Sequence, residues 1–221
     1  MPEPLGILGG TFDPVHRAHL HLARAALAKL GLASIVWIPA GRPYHRHAPH
    51  ADAAHRVAMV RLATADEPRF TVDAADATAA QPSLTVPTLE RLRSIHGPAQ
   101  PFVLLVGADA FLGLPSWHRW RELFGLAHIA VAARPGSALD AARMIPELAA
   151  LFEARRAAPA MLAAAPAGSV VEFEIEPVEP ADLSATMVRE LLRDARNDGL
   201  LADLLPSGVL DYIRRNHLYT A

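Results

Sequence analysis

Six short apolar runs, each followed by a stretch of helical or turn-like character, limit what this chain can fold into. The runs are "LGILG" at 5–9, "SIVWIP" at 34–39, "RFTVD" at 69–73, "FVLLVG" at 102–107, "HIAVAA" at 128–133 and "VVEFEIE" at 170–176. The fourth is apolar throughout, as a strand covered on both faces must be. Between the runs, residues 19–30 carry Leu20, Ala23, Leu27 and Leu30 at helical spacing, and residues 52–64 repeat this with Val57, Val60 and Leu62. Residues 87–96 open on Pro87, suited to a first helical turn, and 184–196 and 206–217 complete the helices. Such alternation predicts an α/β fold: an open parallel sheet of Rossmann-like type, with helices on both faces. Ligands of these sheets sit at the carboxyl ends of the strands, near the point where strand order reverses.

Composition narrows the class further. The 221 residues suffice for one sizeable core, so a single domain is the default. With a net charge of −2, no global basic field points to nucleic acid or to a membrane surface. Cysteine is absent, which excludes disulfides, thiolate metal sites and cysteine nucleophiles. Neither a secretion signal nor an apolar run of membrane-spanning length is visible, so the expected location is the cytoplasm. The alanine-rich stretch 137–168, interrupted by Pro146, Pro159 and Pro166, predicts one or two helices decorating the sheet.

The first candidate site lies in "LGILGGTFDPVHRAHLHL". Gly9 and Gly10 let the chain turn and approach a ligand without a Cβ in the way. The helix that follows offers unpaired amides and the positive end of its dipole, which suit a phosphate. His16 and His19 are three apart and share a face, so both can donate to phosphate oxygens. Metal ligation is the alternative, and it needs a third ligand; Asp13 precedes Pro14 and need not face the same way. The second candidate is "LSATMVRELL", in which Ser184 reads as a helix N-cap. In "LPSWHRW", Trp120 reads as core, whereas Trp117, at a loop-to-helix junction, can stack on a heteroaromatic ring. Asp109, just beyond the fourth strand, can hold a ribose hydroxyl or cap the next short helix.

"GGTFDPVHRAH" resembles the histidine signature of the bacterial nicotinate mononucleotide adenylyltransferases, of the nucleotidyltransferase superfamily. "IPAGRPYHR" with "RVAM", "PSLT" with "TLERLR", "LLVGADAF", "LPSWHRW", "AARPG", "LSATMVRELL" and "VLDYIRRNHLY" are similar to that family's further motifs, in the same order, from residue 5 to residue 219. Several positions depart from the family pattern: Ala18 stands for glycine, Tyr44 for proline, Arg46 for lysine, Leu84 for tyrosine, Pro87 for aspartate and Ala185 for serine. The resemblance implies one nucleotidyltransferase domain over 1–221, whose C-terminal helices, 184–217, carry part of the ATP site. It implies catalytic contacts from His16, His19 and Arg46. It places ATP on Gly9, Gly10, Thr11, Phe12, His19, Gly107, Asp109, Ser184, Thr186 and Arg189. The acceptor mononucleotide falls to His45, Thr85, Trp117, His118 and Arg134, with backbone amides near Trp117 and His118 meeting its carboxylate. Mg²⁺ would arrive with ATP and not at a protein-built metal site. The partners implied are ATP and nicotinate mononucleotide, with no nucleic acid and no membrane; a homo-oligomer is compatible with the sequence. A phosphopantetheine or nicotinamide mononucleotide adenylyltransferase, or an inactive nucleotide-binding module, are the alternatives.

Overall fold

The computed structural model describes residues 2–42, 48–136, 138–176 and 178–220. Six strands form one sheet: β1 (Leu5–Gly10), β2 (Ser34–Pro39), β3 (Phe70–Val72), β4 (Phe102–Gly107), β5 (His128–Ala133) and β6 (Val170–Glu174). Their order is β3-β2-β1-β4-β5-β6. β1 pairs with β4, β4 with β5 and β5 with β6, all parallel. This is the strand order of doubly wound nucleotide-binding sheets, and it reverses at β1. The carboxyl end of β1 therefore lies at the switch point, where such sheets bind ligands.

The chain divides into two compact units. The first comprises residues 1–8, 24–36 and 84–176, and its core is built on β4 and β5. Every residue from Phe102 to Val106 and from His128 to Ala133 is buried, as the uninterrupted apolar run in β4 requires. Inside this core His128 is fully buried yet satisfied: its Nε2 lies 2.8 Å from the Ala165 carbonyl, and its Nδ1 accepts the Ser169 amide at 3.1 Å. Burial lowers its pKa, so the neutral ring bridges two backbone groups. The helix Thr85–His96 begins two residues before Pro87, which sits within the first turn, where its missing N–H costs nothing. Leu84 occupies the N-cap position without a side-chain cap. The alanine-rich stretch forms one helix, Pro146–Arg155, and two short 3-10 turns.

The second unit comprises residues 9–23, 37–83 and 177–221. It is organised around Arg56, which is 1% exposed. From the helix Ala53–Thr64, its guanidinium donates to the carbonyls of Thr11 (2.6 Å), Ala40 (2.5 Å), Gly41 (2.9 Å) and Ala51 (3.1 Å). One side chain thus ties together the segments that leave β1 and β2. Arg56→Met would remove every one of these donors and leave buried carbonyls unpaired. We expect a loss of at least about 3 kcal/mol, seen as a fall of roughly 6–12 °C in melting temperature for a chain of this size. A change under about 1 kcal/mol in urea unfolding would contradict this role.

The C-terminal helices are shorter than the sequence suggests. The stretch expected as one helix over 184–196 stops at Leu192, and a helix with no distinct periodic signal, Asp198–Leu204, follows before Ser207–Arg215. Among the described residues, no helix is long and apolar enough to cross a membrane.

Candidate active site

The two expected histidines stand at the entrance of the helix Arg17–Leu30, in the second unit. Phe12 begins the approach. It has a left-handed backbone (φ 50°) and a buried side chain. That conformation costs a bulky residue about 1–3 kcal/mol, comparable to the roughly 1.5–3 kcal/mol that burying its ring returns. The ring meets His19 edge-on at 5.1 Å and Trp37 at 5.5 Å between centroids. A Cβ on Gly10 would come within 2.8 Å of this ring, whereas one on Gly9 would meet nothing within 4 Å. Gly10 is therefore required by the packing of Phe12, and Gly9 is the glycine that the protein's own packing leaves unexplained.

His16 immediately precedes the helix, and His19 is its third residue. The His19 amide donates to the His16 carbonyl (3.0 Å), and His19 Nδ1 accepts the His16 amide (3.2 Å). The second bond is one half of a capping box, with imidazole in the place of glutamate or glutamine; the other half, from the His16 side chain, is not made, since the His19 amide goes to the main-chain carbonyl. Because Nδ1 is an acceptor, the proton of the neutral ring is on Nε2. The local fold of the helix start thereby selects the tautomer that presents an N–H donor. The rings of His16 and His19 lie 3.9 Å apart.

His16 is 5% exposed, and its Nδ1 has no hydrogen-bond partner among the described residues. Burial pushes its pKa down to about 4. In the unfolded chain its value is the ordinary 6.5. Between these pH values only the unfolded state takes up the proton, so this group's contribution to stability is intact above about pH 6.5 and is lost as the pH falls. From about pH 7.5 to about pH 5, wild type should lose about 2 kcal/mol more than His16→Gln. Urea-unfolding curves of the two proteins at both pH values check this; equal losses would contradict it.

Asp13, the carboxylate nearest in sequence, is not placed as a third metal ligand. It is buried and accepts the amides of His50 (2.7 Å) and Ala51 (3.0 Å) and the hydroxyl of Tyr219 (2.7 Å). No group of three or more acidic, histidine or cysteine residues able to hold a metal ion is present among the described residues.

The Ala185–Leu192 helix contributes the remaining groups of this unit. Ser184 is its N-cap, as expected, and accepts the Met187 amide at 3.3 Å. Arg189 donates to the Asp13 carbonyl at 2.7 Å and to the Thr186 hydroxyl at 3.1 Å. Its guanidinium is therefore held between this helix and the histidine loop, not extended into solvent. Gly9, Gly10, Thr11, Phe12, His16, His19, Ser184, Thr186 and Arg189 all belong to the second unit. His45 and Arg46 lie outside the described residues.

Gly107, Asp109, Thr85, Trp117, His118 and Arg134 belong to the first unit. Asp109 is exposed and sits in the first turn of the helix Ala108–Leu112, whose N-cap is Gly107, so the capping role considered for Asp109 does not hold. Trp120 is core, as expected, and meets Phe124 at 6.3 Å. Trp117 is half-buried and closes the 3-10 turn Leu114–Ser116; its amide donates to the Leu114 carbonyl at 2.8 Å. That bond removes the Trp117 amide from the donors expected for a ligand carboxylate and shifts the expectation to His118. Thr85 is the first residue of its helix. Three residues that the sequence did not single out pair beside the tryptophan turn. Arg119, in a left-handed conformation (φ 55°), pairs with Glu90 of the Thr85–His96 helix (2.7 Å) and with Glu122 (2.6 Å). Arg134, exposed, follows the end of β5.

The strand order and the phosphate-suited loop after β1 define a nucleotidyltransferase-type α/β protein, and the model of the Cytidylyltransferase-like family matches residues 7–191. Among curated relatives, a probable nicotinate-nucleotide adenylyltransferase of Dechloromonas aromatica is 50% identical over 220 residues, covering 99% of both chains. One from Laribacter hongkongensis is 45% identical over 215 residues, 97% of this chain and 94% of the relative. The chain belongs to the nicotinate-nucleotide adenylyltransferase family. Its fold matches that of the Plasmodium falciparum nicotinic acid mononucleotide adenylyltransferase complexed with NaAD, with a TM-score of 0.73 at 16% identity over 99% of this chain and 98% of that one.

Proposed function

We propose that this protein transfers the adenylyl group of ATP to nicotinate mononucleotide, forming nicotinate adenine dinucleotide and pyrophosphate, a step of NAD biosynthesis. The observation that carries the reading is the helix cap that commits His19 Nδ1 to the His16 amide and so keeps an N–H donor on Nε2. Relatives of up to 50% identity bearing the matching name over the whole chain support it.

The phosphate of the mononucleotide is already an anion, so its oxygen attacks the α-phosphorus of ATP without a general base. The bond from the α-phosphorus to the bridging oxygen breaks, and pyrophosphate leaves with that electron pair. Catalysis is then positioning and stabilisation of charge on the α-phosphate and the leaving group. His19 Nε2–H and the neutral His16 ring supply donors to those oxygens, with Arg46 flanking. The Ser184 and Thr186 hydroxyls each use a lone pair internally and keep a proton to donate to the β- and γ-phosphates. Arg189 adds fixed charge beside them. Gly9, Gly10, Thr11 and Phe12 form the backbone path of the phosphates, and Gly107 and Asp109 meet the ATP ribose. Trp117 stacks on the pyridine ring, Thr85 and the His118 amide meet its carboxylate, and His45 and Arg134 serve the rest of the mononucleotide. Mg²⁺ enters as part of the MgATP substrate. We place the reaction in the cytoplasm.

The experiment is direct: purified protein with ATP, Mg²⁺ and nicotinate mononucleotide should release pyrophosphate and form the dinucleotide in equal amounts. Pyrophosphate release without the dinucleotide, or no release, would overturn the reading.

A further inference from the structure

Asp13 is the most heavily used acceptor beside the histidine loop, and its bond to Tyr219 is not explained by substrate binding. One carboxylate oxygen takes the His50 amide, and the other takes the Ala51 amide and the Tyr219 hydroxyl. Tyr219 reaches it by an unusual backbone route. After the helix Ser207–Arg215 the Leu218 amide reaches back to the Ile213 carbonyl at 3.1 Å, and both His217 and Tyr219 are left-handed, with φ of 51° and 64°. Residues with a side chain adopt that conformation only where the surroundings hold them. The 2.7 Å bond from its hydroxyl to the carboxylate is one of the contacts that anchor Tyr219 there. Burial, and then the charge of Asp13, push the phenol pKa up, so the hydroxyl remains a donor throughout the ordinary pH range.

The residue it grips is a junction. Asp13 lies three positions before His16, and its carbonyl accepts from Arg189, whose other nitrogen holds the Thr186 hydroxyl. Both phosphate-handling segments are thus tied to the residue that Tyr219 fixes.

We propose that Tyr219 is a positioning residue for adenylyl transfer: by fixing Asp13 it holds the loop presenting His16 and His19 and, through Arg189, the helix presenting Ser184 and Thr186. This rests on the adenylyl-transfer reading above. Tyr219→Phe keeps the ring and removes only the hydroxyl. The loop then gains freedom, and donors displaced by a fraction of an ångström weaken the contacts that tighten in the transition state. The loss falls on kcat more than on the KM of the acceptor.

The test uses wild type, Tyr219→Phe, Asp13→Ala and the double variant, assayed for pyrophosphate release with MgATP and nicotinate mononucleotide, each also followed by thermal unfolding. Tyr212→Phe removes the hydroxyl that lies 2.9 Å from His55 in the same C-terminal segment and serves as the control, with kcat unchanged. Tyr219→Phe should lower kcat roughly 10-fold or more, with the acceptor KM within about twofold. The double variant should be no slower than Asp13→Ala alone, because Asp13→Ala already removes the acceptor of the Tyr219 hydroxyl. A Tyr219→Phe protein with a lowered melting temperature but normal kcat would make the residue a structural strut and overturn the proposal, as would losses that multiply in full in the double variant. An inactive wild type would instead overturn the functional reading, and this proposal with it.

Discussion

His19→Ala is expected to lower kcat about 10²-fold or more, with little change in the affinity for the acceptor. The imidazole does two jobs. At Nδ1 it caps the helix by accepting the His16 amide, and under the proposed function its Nε2–H is the donor to the α-phosphate. The second contact strengthens as negative charge moves toward the leaving pyrophosphate, so its loss appears in kcat and not in acceptor binding. The first contact is a matter of stability, about 0.5–2 kcal/mol for a lost cap. His19→Gln separates the two, because glutamine at this helix position accepts the same amide. Its melting temperature should return close to that of wild type while its kcat stays depressed. Steady-state kinetics and thermal unfolding on the two variants check both statements. An alanine variant with near-normal kcat would remove His19 from the reaction.

Trp117→Ala is expected to weaken nicotinate mononucleotide binding by about 5- to 150-fold, the loss of one base-on-aromatic stack, and to leave ATP binding close to wild type. The ring is half-buried at the end of a 3-10 turn, and under the proposed function it stacks on the pyridine ring. The turn is fixed by the Trp117 amide bond to Leu114 and by Arg119, which grips Glu90 on the helix that begins at Thr85. The platform is therefore preorganised, and its removal costs contact area without collapsing the turn. Calorimetric titration with each substrate checks the asymmetry. Equal weakening of both ligands would mean that the turn supports the fold and not the acceptor.

The sheet was legible because its strands are apolar runs bounded by polar or turn residues. β2, β4 and β5 begin and end where the sequence places them. β1 runs through both glycines to Gly10, beyond the expected turn, because a strand can retain glycine when its neighbours carry the packing. The helices Ala75–Thr78, Ala108–Leu112 and Leu123–Leu126 are four or five residues long, too short for a period to register. The site was legible where side chains carry chemistry in a local motif, as in His16, His19 and the cap at Ser184. It was not legible where distant residues act on backbone. Arg56 could equally have been a solvated helix residue; only the fold brings the carbonyls of Thr11, Ala40 and Gly41 around it. The same holds for Tyr219 and Asp13, which are 206 positions apart, and for Arg119 with Glu90. The pairing of His19 Nδ1 with the His16 amide had a visible signal, a side-chain acceptor three residues after the residue preceding a helix. Histidine is simply not the residue that the capping pattern leads one to look for.

The most direct measurement is kcat/KM for three acceptors offered separately with MgATP: nicotinate mononucleotide, nicotinamide mononucleotide and phosphopantetheine. Acid and amide differ at one group, so a site that reads the carboxylate with N–H donors leaves the amide NH₂ facing a donor, at roughly 1–3 kcal/mol for each unsatisfied buried group. The account predicts that nicotinate mononucleotide is preferred over the amide by about 10- to 10³-fold and that phosphopantetheine is not adenylylated. Equal use of acid and amide, or turnover of phosphopantetheine with neither mononucleotide accepted, would contradict it.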